Sequence, residues 1–286
     1  MNLRFFRSIG ATLVFFLLTA GCVSSTTGSS ETVSPIVIPM SDYVAGLKTI
    51  DVEMGGETHA FLVDTAGGKT VITPEVAKGI GCIPFGNVTG FRHSGEAISG
   101  RRCAPHPIKV GSFRNDDEES MVFDLMSLLR GAPEIGGIIG LPLFEPEIVT
   151  FDYIHDQIVI ENGESFAARI SEMQEVRIRP SRQAGGASLD LMIAIDSSPG
   201  PLWFELDSGN TGPVILAPHT AEILGVGFEG DETRQVELPV SGIGTITVDA
   251  RLKSPLIYDG LLNTSFFRTH LVTVDLGSMR AWVSAD

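Results

Sequence analysis

The chain has 286 residues, of which 43% are hydrophobic, 19% charged and 7% aromatic, with 32 Gly and 16 Pro. This excludes a disordered acidic chain, a coiled coil and a collagen-like repeat, and it leaves ample apolar material for one large domain or two of ordinary size. Lys and Arg number 20 against 35 Asp and Glu, a net charge of −15 without any basic run. Nucleic acid is excluded as a partner, because phosphate contacts need clustered cations.

At the N-terminus Arg4 and Arg7 precede an apolar stretch from Ile9 to Ala20. That stretch is shorter than the ~20 residues needed to span a bilayer, so residues 1–21 read as a cleaved signal. Its end, Leu18-Thr19-Ala20-Gly21-Cys22, resembles a bacterial lipobox. The resemblance implies lipidation of Cys22 and anchorage to an envelope membrane, facing the periplasm, each buried CH₂ contributing about 0.8 kcal/mol, with an ordinary secretory signal and a coincidental Cys22 as the alternative. The lack of Asp after Cys22 looks like outer-membrane sorting. Residues 22–35 are rich in Ser and Thr and read as a flexible tether.

The rest of the chain repeats itself. The segment FLVDTAGGKTVITPEVAKGIG around Asp64 returns as WFELDSGNTGPVILAPHTAEILG around Asp207, 143 positions later. In each, apolar residues lead into Asp-(Thr/Ser)-(Ala/Gly), then a polar turn, a β-branched pair, Pro, Ala and a closing Gly. Alternating runs such as Leu189, Leu191, Ile193 and Ile195 precede them and read as half-buried strands. Helices are expected at Pro74–Ile80 and Pro218–Leu224, each with Pro at its start and Gly just past its end.

Between the first motif and the middle of the chain lie both remaining cysteines, Cys82 and Cys103. In an oxidising compartment they are expected to form a disulfide worth about 3 kcal/mol, with two free thiols as the alternative. Asn115-Asp116-Asp117-Glu118-Glu119 reads as a solvated loop, since it lacks the alternation of a calcium loop. Ser120–Arg130 is a third candidate helix. Gly136-Gly137-Ile138-Ile139-Gly140 leads to Ile148–Asp152, and Asp259-Gly260-Leu261-Leu262-Asn263 leads to Leu271–Asp275, both 123 positions on. Two homologous lobes follow, 36–160 and 176–286, joined by a polar linker at 161–175 with a weak helical pattern. The fold class is all-β, built of small barrels or sandwiches.

One Asp-Ser-Gly is ordinary turn composition. Two copies at equivalent places in two lobes are different, because pseudo-two-fold packing brings both carboxylates to one interface. Asp-Thr-Ala-Gly and Asp-Ser-Gly-Asn, each followed by an apolar-apolar-Gly element, resemble the aspartic proteases, pepsin-like and retropepsin-like alike. The resemblance covers nearly the whole mature chain and implies two pepsin/retropepsin-like β-barrel lobes flanking a cleft. It further implies a monomeric endopeptidase acting on peptide or protein substrates, with Asp64 and Asp207 catalytic. Thr65, Ser208, Ala66 and Gly209 would support the dyad, Thr65 and Ser208 by hydrogen bonds across it. Two carboxylates about 3 Å apart repel by about 5 kcal/mol at an effective dielectric near 20, so such a pair holds one proton over a broad pH range. Neither metal nor cofactor is needed. Two positions depart from the pattern: Ala66 stands where the family has Gly, and Asn263 replaces the Gly closing the second apolar element, as a residue tolerant of unusual φ. An inactive relative that binds peptides in the same cleft is the alternative.

A flap is expected over Thr89–Arg101, with its tip near Ser94-Gly95 and with His93 within reach of the cleft. Other signals carry nothing. Gly225-Val226-Gly227-Phe228-Glu229-Gly230 satisfies GxGxxG but follows a helix, and the six histidines have no ligand spacing.

Overall fold

The strands that lead into the two aspartates are each the middle of a sheet. The structure, a computed structural model, describes residues 34–284. The leader, Cys22 and the tether up to residue 33 lie outside them. Among the described residues no helix is long and apolar enough to cross a membrane.

In the N-terminal half, the strand Glu57–Val63 pairs on one side with Lys48–Met54 and on the other, in parallel, with Gly137–Ile139. A ten-stranded sheet grows around this trio and ends at the hairpin Phe85–Phe91 and Ala97–Cys103. The C-terminal half repeats the arrangement. Leu202–Leu206 pairs with Asp190–Ile195 and, in parallel, with Gly260–Leu262. Its seven-stranded sheet curls until Ile195 meets Val240. The apolar-apolar elements of the sequence are thus the strands beside the two Asp-bearing strands, and the all-β class stands.

A third, six-stranded sheet takes strands from both halves in the order Ile36–Pro39, Gln157–Ile160, Ile148–Asp152, Val272–Asp275, Arg280–Ser284, Met173–Val176. At its centre Thr150 lies opposite Thr273, with hydroxyls 2.8 Å apart, and Thr150 also donates to the buried Glu161 at 2.7 Å. These threonines are the pair that the 123-residue repeat makes equivalent, so a pseudo-two-fold axis runs between them. One apolar core runs through the sheets, including the fully buried Phe61, Phe144, Phe151, Phe204, Phe266 and Phe267. Each such ring contributes about 1.5–3 kcal/mol by leaving water.

Several local expectations are corrected. The helices end a residue early, at Pro74–Gly79 and Pro218–Ile223, and Gly81 and Gly225 follow with φ of 70° and 69°. Ser120–Arg130 is not an α-helix. Ser120–Val122 is a strand held between Arg101–Cys103 and Val71–Ile72, and only Leu125–Ser127 makes a 3₁₀ turn. The weak helical pattern of 161–175 is borne out by the helix Gly163–Ile170, capped by Asn162 and Ser165, but the stretch then enters a strand, Met173–Val176, that was not expected. The acidic run is only partly solvated: Glu118 accepts from the Thr70 amide at 3.4 Å, and Glu119 lies 3.6 Å from both Lys69 and Arg102. Asp190–Ile195 is buried at every position, not at alternate ones.

Candidate active site

Each aspartate leaves its strand with its amide donated to the neighbouring apolar strand, Asp64 N to Ile139 O at 3.0 Å and Asp207 N to Leu262 O at 2.9 Å. The next residues lock the two turns together. The Thr65 amide donates to Ser208 Oγ and the Ser208 amide to Thr65 Oγ1, both at 3.0 Å. Thr65 Oγ1 in turn donates to Leu206 O at 2.6 Å, and Ser208 Oγ to Val63 O at 3.2 Å. Every donor and acceptor of this buried ring is used, so neither turn moves without breaking charge-free hydrogen bonds that water cannot replace.

The ring sets the two carboxyls side by side. The Ala66 amide donates to Asp64 Oδ1 at 3.0 Å, and the Gly209 amide favours the ionised forms of both Asp64 and Asp207. Gly209 has to be glycine, since a Cβ there would meet the Asp64 carboxyl, 2.5 Å from Oδ1. Burial pushes Asp64 up to about 6. Burial, and after it the charge of Asp64, push Asp207 well above the ordinary carboxylate range, opposed by the Gly209 amide and the Asn210 side chain. Both carboxyls therefore hold protons more tightly than an ordinary carboxylate does, and the two titrate as a pair.

The two departures differ in consequence. Asn263 adopts an ordinary φ of −100°, so tolerance of unusual φ is not its role. Its buried amide donates to Gly212 O and Pro213 O at 2.8 Å, and its oxygen caps the helix Thr264–Phe267 through Ser265 N at 3.1 Å. Gly140, its counterpart, lacks that room, because a Cβ would lie 2.9–3.0 Å from the Lys69 backbone. Ala66 occupies the position related to Gly209 and carries a methyl toward the cleft.

Over the dyad stands the hairpin Phe85–Phe91 and Ala97–Cys103, its turn closed by Arg92 N to Glu96 O and Gly95 N to Arg92 O. Its base is tied by the Cys82–Cys103 disulfide to the end of the helix Pro74–Gly79. Its tip reaches the C-terminal half: Ile257 N donates to His93 O at 2.9 Å, Lys253 Nζ to His93 Nε2 at 2.6 Å, and Phe91 N to Gln183 Oε1 at 2.9 Å. Burial, with Lys253, pushes His93 down to about 4, leaving a neutral ring to accept from Lys253. His93 lines the cleft, whereas Ser94 and Gly95 build the turn without lining it.

The cleft, of about 380 Å³, is lined by Asp64, Asp207, Ala66, Gly209, His93 and apolar groups such as Leu62, Leu125, Leu129 and Ile138. Sequence reasoning missed further lining residues, among them Gln183, Asp190, Glu205 and Tyr258. A carboxylate inside an apolar strand, as in LDLMI and WFELD, is the signal that marks two of them.

Comparison with known proteins agrees with this fold. Residues 50–143 match the sequence profile of a family described as aspartyl protease, a span holding the first motif and its apolar-apolar-Gly element. No curated protein matches the chain. Among solved structures it resembles the basic 7S globulin from soybean, with a TM-score of 0.57 and 12% identity over 88% of this chain and 95% of that one. It also resembles conglutin gamma, a basic 7S globulin from lupine seeds, with a TM-score of 0.58 and 10% identity over the same shares. The fold is aspartic-protease-like.

Proposed function

We propose that this protein is an aspartic endopeptidase in which Asp64 and Asp207 activate water against a peptide bond. The observation that supports the reading is the reciprocal Thr65–Ser208 ring, beside which the half-buried Asp64 and the buried Asp207 share one Gly209 amide. A structural pair of buried acids would instead be neutralised by cations, and neither aspartate has an ion pair among the described residues.

In this reading ionised Asp64 takes a proton from water as the oxygen bonds to the carbonyl carbon, while protonated Asp207 gives its proton to the carbonyl oxygen. The resulting gem-diol collapses: Asp64 passes its proton to the amide nitrogen, the C–N bond breaks, and a hydroxyl proton returns to Asp207. The hairpin holding His93 against Lys253 shields these transfers from bulk water. The Leu18–Cys22 sequence supports membrane anchorage through Cys22, facing the periplasm.

Asp64→Asn and Asp207→Asn each abolish hydrolysis of peptides cleaved by the parent, with melting temperatures retained. Parent-level cleavage by either variant overturns the assignment. A second reading, peptide binding without turnover, is favoured by Ala66, which lines the cleft with a side chain where the other half has Gly209. Under it, Ala66→Gly confers turnover on a protein that binds peptides but leaves them intact.

A further inference from the structure

The two halves carry different side chains at equivalent positions beside the dyad. Thr49 pairs with Leu62 in one half and Met192 with Glu205 in the other, so the 143-residue repeat makes Glu205 the counterpart of Leu62 and Asp190 that of Leu47. Leu47 and Leu62 belong to a small apolar cluster with Ile135, packed against Ile138 and Leu129. On one side of the dyad the cleft is therefore walled by aliphatic groups. On the other, two carboxyls take their places.

These acids are not a solvated patch. Asp190 and Glu205 are 3% and 4% exposed, yet both line the cleft. Asp190 Oδ1 is buried without a hydrogen-bond partner. The remaining interactions are neutral: the Gly68 amide on Asp190, and the Tyr258 hydroxyl on Glu205, itself accepting from Gln183 Nε2 at 3.2 Å. Neither acid has an ion pair among the described residues. The nearby cations are engaged elsewhere, Lys69 with Glu119 at 3.6 Å and Lys253 with His93. An unpaired buried carboxyl is costly, and an aliphatic residue, as in the other half, would be the stable choice. Burial and the charge of Asp64 push Asp190 up to about 8, and burial with the neighbouring acids pushes Glu205 well above its ordinary value. Both states are relieved by a cation from outside. Among the described residues no three or more His, Cys, Asp or Glu side chains are grouped to hold a metal ion, which leaves an organic cation.

We propose that Asp190 and Glu205 floor a subsite selecting a Lys or Arg side chain on one side of the scissile bond, while Leu62 and its neighbours take an apolar side chain on the other. This rests on the peptidase reading for the word scissile, but the cation preference is a property of binding as well. The charged head of Lys or Arg reaches the unpartnered Asp190 Oδ1.

The test uses the full chain and hexapeptides carrying Lys, Arg or norleucine at each position in turn. The expected result is a kcat/KM at least 10-fold higher for Lys or Arg than for norleucine at one position flanking the cleaved bond. Asp190→Leu/Glu205→Leu, which installs the other half's residues, reverses that order. Asp190→Asn and Glu205→Gln, isosteric and uncharged, each lessen it should the double variant fold poorly. A parallel titration with uncleavable statine-type peptides, Lys against norleucine, separates the two readings. Tighter binding of the Lys peptide without hydrolysis of any substrate upholds this subsite and overturns the peptidase. Hydrolysis with equal kcat/KM for Lys and norleucine upholds the peptidase and overturns this subsite, as does a preference unchanged in the variants.

Discussion

Gly209→Ala puts the closeness of the two halves under direct strain. A Cβ at this position lies 2.5 Å from Asp64 Oδ1 and nearer still to Oδ2 and Cγ. Ordinary contacts to carbon begin near 3.5 Å, so the shortfall is roughly 1 Å. The opposing atoms have little freedom to give way. The Asp64 carboxyl is held by the Ala66 amide, and the backbone of both turns is held by the Thr65–Ser208 ring. Either the carboxyl swings out of line with Asp207 or the halves part. A misplacement of about 1 Å at a reacting group costs on the order of 100-fold in rate. Overpacking adds about 1–3 kcal/mol of destabilisation, and at about 2–4 °C per kcal/mol the melting temperature falls by roughly 2–12 °C. The assay is kcat on a cleaved peptide together with melting followed by circular dichroism. Gly227→Ala is the control, since nothing lies within 4 Å of its added methyl. A Gly209→Ala protein with parental kcat and melting temperature refutes the geometry.

Thr65→Val removes both the donor to Leu206 O and the acceptor of the Ser208 amide, so denaturant titration should show a loss of about 2–4 kcal/mol, with kcat falling alongside. The buried acids make stability decline with pH: a folded-state pKa above the unfolded one means that the native protein holds the extra proton, and its stabilisation is lost as pH rises through the folded value. For Asp64, raised from 3.8 to about 6, this amounts to about 3 kcal/mol. Urea midpoints should therefore fall between pH 4 and 8, and Asp190→Asn should flatten that decline. Reducing Cys82–Cys103, which closes a loop of 21 residues, should cost about 3 kcal/mol and loosen the base of the hairpin, seen as faster amide exchange in Phe85–Cys103.

The lobes and the aspartates were legible because the chain states them twice, and the offsets of 143 and 123 name the partners that meet: Thr65 with Ser208 and Thr150 with Thr273. What stayed hidden depends on distant partners. Met173–Val176 looks like linker because its edge is completed only by Ala281–Ser284, over a hundred residues on. Ser120–Val122 has a locally helical character but is pulled straight by strands on both sides. Alternation at Leu189, Leu191 and Ile193 suggested a solvent face, whereas the other face of that strand turns Asp190 to the cleft. The acidic subsite was thus written in the sequence as two misplaced carboxylates, but only the closed sheet shows what they face.

Hydrolysis in H₂¹⁸O tests the two-aspartate chemistry most directly. The expected result is one ¹⁸O atom in the new carboxylate of the N-terminal fragment and none in the C-terminal fragment during a single turnover, no covalent enzyme adduct by mass spectrometry, and no labelled product from Asp64→Asn or Asp207→Asn. A trapped acyl-enzyme, or labelled product formed at the parental rate by either variant, contradicts the account.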